Sequence, residues 1–150
     1  MKQLLGIILL TITTFPLVYA QSAKPAPQRH QQSSRLLEQF SFVLPDFKMD
    51  HQGETNSLNI SISFRYATNI ANSEYPDFRW LAKDVETLLH NYPNKTDYWE
   101  IVNKQVTALL LKKYPALTSV TSEFEVKPSR TVPYTRSSTV TRSRRGHGSA

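Results

Sequence analysis

From Leu58 to Tyr66 the chain alternates without a break: Leu58, Ile60, Ile62, Phe64 and Tyr66 are apolar, and Asn59, Ser61, Ser63 and Arg65 between them are polar. A period of two sends the two sets to opposite faces, so this stretch predicts a half-buried antiparallel strand. Val120, Ser122, Phe124 and Val126, set against Thr121, Glu123, Glu125 and Lys127, repeat the pattern downstream. Gln39 to Met49 predicts a first strand with Phe40, Phe42 and Leu44 on one face. Pro45 has no N–H for a ladder, which restricts that strand to an edge or a bulge. The turn Asp50-His51-Gln52-Gly53-Glu54 joins the first two strands.

Between the second and third strands the period becomes helical. Phe78, Leu81, Ala82, Val85, Leu88 and Leu89 form one stripe, which stops near Tyr92-Pro93. It opens with Ser73-Glu74-Tyr75-Pro76-Asp77, a proline early in the first turn beside acids that the positive end of the helix dipole favours. A second stripe, Ile101, Val102, Val106, Leu109, Leu110 and Tyr114, starts at Thr96 or Asp97 and ends at Pro115. Thr131 to Arg142 predicts a last strand, exposed on one face. Two amphipathic helices inserted between two pairs of strands predict a two-layer α+β domain, an antiparallel four-stranded sheet with both helices on its apolar face.

The ends read differently. In residues 1–20, Lys2, an apolar run from Leu4 to Leu17 and Val18-Tyr19-Ala20 match the three regions of a secretory signal peptide. The other reading, a membrane anchor, meets a run shorter than about 20 residues and broken by Thr11, Thr13, Thr14 and Pro16. With the signal removed no transmembrane segment remains, and the expected location is secreted or periplasmic. Residues 21–35, rich in Gln, Pro, Ser and Lys, predict a disordered lead-in; 36–142 form the folded domain and 143–150 a basic flexible tail.

Cysteine is absent from the sequence, which excludes a disulfide scaffold and a cysteine-linked lipoprotein. Stability must then come from packing or assembly. One modest core with an apolar sheet face and open edges predicts a homo-oligomer. The net charge of +6 sits at the C-terminal end, where Lys127, Arg130, Arg136, Arg142, Arg144 and Arg145 are accompanied by no acid. Arg136, Arg142, Arg144 and Arg145 are therefore candidates for binding an anionic polymer or surface. Their plain alternative is a solvated strand and tail. The final arginines have no interleaved aromatics on which bases could stack. His30, His51, His90 and His147 are scattered without ligand spacing, so no metal is expected, and no motif implies a cofactor. The sequons at Asn59 and Asn94 would matter only in a eukaryotic secretory route.

Three segments carry a family likeness in order and spacing: Tyr75-Pro76-Asp77-Phe78 opening the first helix, Tyr98-Trp99-Glu100-Ile101-Val102 opening the second, and Phe124-Glu125-Val126-Lys127-Pro128 ending the third strand. With the element order from Phe40 to Arg142 they resemble the tunnelling-fold superfamily, dihydroneopterin aldolase above all. The run Leu109 to Pro115 and the strand after it also resemble urate oxidase. The likeness implies a pterin- or purine-like heterocycle bound between subunits. In it the Glu100 carboxylate would accept from adjacent ring N–H groups, Lys127 would act as acid/base in a retro-aldol step, and Tyr75 would orient substrate or water. Leu44-Pro45-Asp46-Phe47 and His51-Gln52-Gly53-Glu54 match that family's first loops only loosely. Each residue also has a plainer role open to it: a first-turn acid, a solvated lysine, the partner of a helix cap. Two functions follow from these readings, an exported protein with a heterocycle pocket and a noncatalytic oligomeric module that binds anions through its Arg-rich end.

Overall fold

In the computed structural model of the chain, residues 36–144 are described. The expected signal segment, the lead-in and Arg145 lie outside the described residues. Strand β1 (Gln39–His51) pairs with β2 (Glu54–Tyr66), and α1 (Phe78–His90), α2 (Trp99–Lys113), β3 (Leu117–Val126) and β4 (Arg136–Ser143) follow. The sheet order is β1-β2-β3-β4, every pair antiparallel. Helix α1 packs on β1, and α2 lies across β3 and β4. None of the described helices is long and apolar enough to cross a membrane.

The alternation read from the sequence sets the core. Leu58, Ile60, Ile62 and Phe64 of β2 and Val120, Phe124 and Val126 of β3 are buried against the helices. β1 is an edge strand and carries a bulge between Leu44 and Phe47, both consequences of Pro45. Asp46 takes a left-handed backbone (φ 52°), and its N–H donates to Asn59 Oδ1 at 3.2 Å. The extra residue shifts the parity of the strand. Phe40, Phe42 and Leu44 point inward before the bulge; Phe47, Met49 and His51 do so after it, all three buried.

Four boundaries differ from the sequence reading. β1 and β2 run up to a two-residue turn, Gln52 (φ 58°) and Gly53 (φ 80°), whose pair of positive φ values matches the twist of a hairpin. α1 begins after Asp77, which caps it by accepting from Arg79 N–H at 2.9 Å. Pro76 holds Tyr75 extended and so keeps it out of the helix. α2 starts at Trp99 and not at Thr96 or Asp97: the Asp97 carbonyl accepts from His51 and Gln52, and its Oδ2 from Tyr92. Its buried stripe is Trp99, Val102, Asn103, Val106, Thr107, Leu110 and Leu111, rotated from the expected one, with Ile101 40% exposed. β4 starts at Arg136 and not at Thr131: the Ser129 and Thr131 hydroxyls donate to the Glu54 carboxylate at 2.9 and 2.8 Å, and Pro133 lacks a ladder donor.

Candidate functional site

The start of α2 has no side-chain cap; Tyr98 precedes it in an extended conformation. Its position is set by contacts with the β1–β2 turn. The Asp97 carbonyl accepts from His51 Nε2 and from Gln52 Nε2, both at 3.0 Å. Its carboxylate accepts from the Tyr92 hydroxyl at 2.6 Å. Gln52 N–H donates to the Lys95 carbonyl at 2.8 Å, and Gly53 N–H donates to Asn94 Oδ1 at 3.1 Å. Trp99 stands edge-on between the His51 ring (4.5 Å) and Phe124 (6.4 Å).

His51 is wholly buried. A carbonyl oxygen only accepts, so Nε2 carries the proton, and Nδ1 is left buried without a partner. Burial pushes the imidazole pKa below its ordinary value, against the opposing pull of the Asp97 carbonyl and carboxylate. Burial, then the Asp97 carboxylate, pushes the Tyr92 phenol up to about 12. The polar character continues along α2. Asn103 Nδ2 donates to the Ser122 and Ser138 carbonyls at 3.0 and 2.8 Å, and Asn56 Nδ2 donates to the His51 carbonyl at 2.8 Å.

The expected site residues fall in separate places. Glu100, one residue beyond Trp99, is exposed, beside Tyr98 (76% exposed) and Ile101; no hydrogen bond or ion pair engages its carboxylate among the described residues. Lys127 continues β3 beyond Val126 and bonds Asp46 Oδ1, next to the Asn59–Glu125 contact of 3.0 Å on the face away from the helices. The lysine holds the Asp46 carboxyl below the usual carboxylate range. The Tyr75 ring lies 4.8 Å from that of Tyr66, and its hydroxyl donates to Glu38, which pushes the phenol pKa up. Lys127 N–H meets Ser57 O at the opposite end of β2 from Tyr66, so these two candidates are about 30 Å apart along the strand. Within one protomer nothing brings Glu100, Lys127 and Tyr75 together.

The arginines are not one stripe. Arg136 and Arg142 lie opposite Val126 and Val120, on the helix-facing side, while Ser137, Thr139 and Thr141 take the open face. Arg136 Nη2 reaches Asn56 Oδ1 at 3.4 Å. The Arg144 guanidinium donates to the Leu117 carbonyl at 2.8 Å, to that of Leu111, and to that of Tyr114 at 3.3 Å, which satisfies the C-terminal end of α2. Arg142 is exposed. No group of three or more His, Asp or Glu positioned to hold a metal occurs among the described residues. His51, Tyr92, Asp97 and Asn103 were not expected from sequence; the signal for His51 was its place in the Phe47, Met49, His51 alternation.

No protein-family model matches the chain, and no curated protein matches it in sequence. Its structure is similar to that of dihydroneopterin aldolase from Burkholderia thailendensis bound to guanine, with 13% identity and a TM-score of 0.58, covering 73% of this chain and 93% of that one. The likeness shows that the chain has a tunnelling fold.

Proposed function

We propose that the chain is an exported tunnelling-fold protein that assembles with copies of itself and binds a planar, nitrogen-rich heterocycle of the pterin or purine class, with Glu100 as its anchor. The observation that carries this is Glu100 itself. It is an unpaired, exposed carboxylate in the first turn of a helix that lacks a side-chain cap, flanked by the exposed Tyr98 and Ile101. Two carboxylate oxygens match two adjacent ring N–H donors, and the exposed Tyr98 ring suits the face of a planar ligand. The solved neighbour that shares this fold was crystallised with guanine. One protomer leaves Glu100 on a surface, so the pocket is completed by a second copy.

Binding is favoured over lyase chemistry. Lys127 is tied to Asp46 and must leave that carboxylate before its amine can meet a substrate. Tyr75 has its hydroxyl engaged by Glu38. The anionic-polymer reading is weakened by Arg144, whose head is occupied by backbone carbonyls.

Calorimetry with guanine and with a pterin, alongside light scattering, tests the reading. The full-length protein should bind one of them as an oligomer, and Glu100→Ala should abolish binding while leaving the oligomer intact. A bidentate charge-assisted contact of this kind costs at least about tenfold in affinity when removed. Equal binding by the variant would overturn the assignment.

A further inference from the structure

We propose that His51 is a positioning residue: through Asp97 and Trp99 it holds the first turn of α2 in place, and it releases that turn when its free ring nitrogen takes up a proton. The consequence for Glu100, one residue past Trp99, rests on the heterocycle reading given above.

The argument is geometric. With no side-chain cap at Tyr98, the helix start depends on what the turn of β1 and β2 gives it. Two side chains of that turn, His51 and Gln52, converge on one carbonyl, that of Asp97. Gln52 N–H and Gly53 N–H in turn donate to the Lys95 carbonyl and Asn94 Oδ1 of the interhelical loop, at 2.8 and 3.1 Å. The turn and the interhelical loop therefore hold each other, and His51 is their buried centre.

Charged and titratable groups reach it from every neighbouring element. From the interhelical loop come Asp97, its nearer carboxylate oxygen 3.6 Å from Nε2, and Tyr92, whose ring is 5.8 Å away with the Lys95 ammonium 6.0 Å over that ring. From β2 comes Glu54, the cross-strand partner, its carboxylate turned away to Ser129 and Thr131. From β4 comes Arg136, which reaches Asn56. Asp97 attracts a cationic ring, yet it faces the nitrogen that is already protonated. Nδ1 meets no acceptor, so a second proton creates a buried charge and a buried unpaired donor together.

The test uses the full chain. Trp80 is 61% exposed, and Trp80→Phe leaves Trp99 as the single tryptophan of the two. Its emission should shift to the red in one reversible step as pH falls below 6.5, the ordinary histidine value. His51→Gln in the same background, whose amide can donate but does not titrate, should show no step. Should that variant fail to fold, hydrogen exchange of the wild-type Gln52 and Gly53 amides decides. After correction for intrinsic rates, opening should grow by up to about tenfold per pH unit below that value. A flat emission and exchange profile from pH 7.5 to 5.5, or the same step in His51→Gln, overturns the proposal. Guanine affinity separates the two readings. If the Trp99 step is present and guanine binds at no pH, the clamp stands and the heterocycle reading fails. If guanine binds with the same affinity across the step, His51 does not position Glu100.

Discussion

The two halves of the helix–sheet interface are built differently. Under α1 the buried contact is apolar: Leu81, Val85 and Leu89 are buried over the sheet, Phe78 closes the outer end against Phe40 and Phe42, with ring centroids 5.2 and 6.2 Å apart, and the exposed His90 ring meets Phe47 at the other end, 4.8 Å away. Under α2 the same sheet face carries Asn56, Ser122 and Ser138, and the helix answers with Trp99, Asn103 and Thr107. Several buried polar atoms there, including Trp99 Nε1, Asn103 Oδ1 and Arg136 Nε, have no partner. The first half is what burial alone would select. The second gives up apolar area for hydrogen-bonded contacts that fix one arrangement, and departures of this sort concentrate near functional sites. Glu100 stands at the mouth of that second half.

The contrast can be broken by substitution. Leu81→Ala in the apolar half should cost about 2–5 kcal/mol by urea unfolding, with the same loss at pH 5.5 and 7.5. Asn103→Ala in the polar half should cost about 1–3 kcal/mol, since the Ser122 and Ser138 carbonyls lose their donor. A loss at Asn103 near zero would show that the network is ornament to the packing.

Acid sharpens the same comparison. The folded His51 has its pKa lowered from 6.5, so below that value the unfolded chain binds more protons than the folded one. The contribution of His51 is complete above pH 6.5 and is lost as pH falls through that value toward the folded pKa. Melting temperature should therefore drop with acid in the wild type and drop less in His51→Gln. Smallest of all is Lys127→Ala: the pair with Asp46 is exposed, with the carboxylate side chain 69% accessible. Little or no change in melting temperature is expected, which leaves any effect of that variant on ligand binding free of a stability effect.

The apolar half was legible in the sequence because period alone decides it. Leu58 to Phe64 and Leu81, Val85 and Leu89 needed no partner to be identified. Pro45 announced the edge and the bulge, although the parity shift that brings His51 inward needs the bulge to be counted. The polar half was hidden for a physical reason. Asn103 and Thr107 look like surface residues on a helix; the Ser122 and Ser138 carbonyls above Asn103 make its burial favourable, and Thr107 satisfies its hydroxyl on the Lys104 carbonyl of its own helix. Hydropathy alone puts Ile101 in the core, and the rotation of α2, which turns Trp99 inward, leaves it 40% exposed. Asp97 reads as a helix cap until His51, distant in sequence, claims its carbonyl and Tyr92 its Oδ2. Glu100, Lys127 and Tyr75 stand out only by family resemblance, and a single protomer keeps them apart.

A crystal structure of the assembled protein tests the central claim most directly. The account predicts copies joined so that a second protomer closes over Glu100 and leaves a cleft wide enough for a bicyclic ring. An isolated protomer, or an assembly in which Glu100 opens onto bulk solvent, would contradict it.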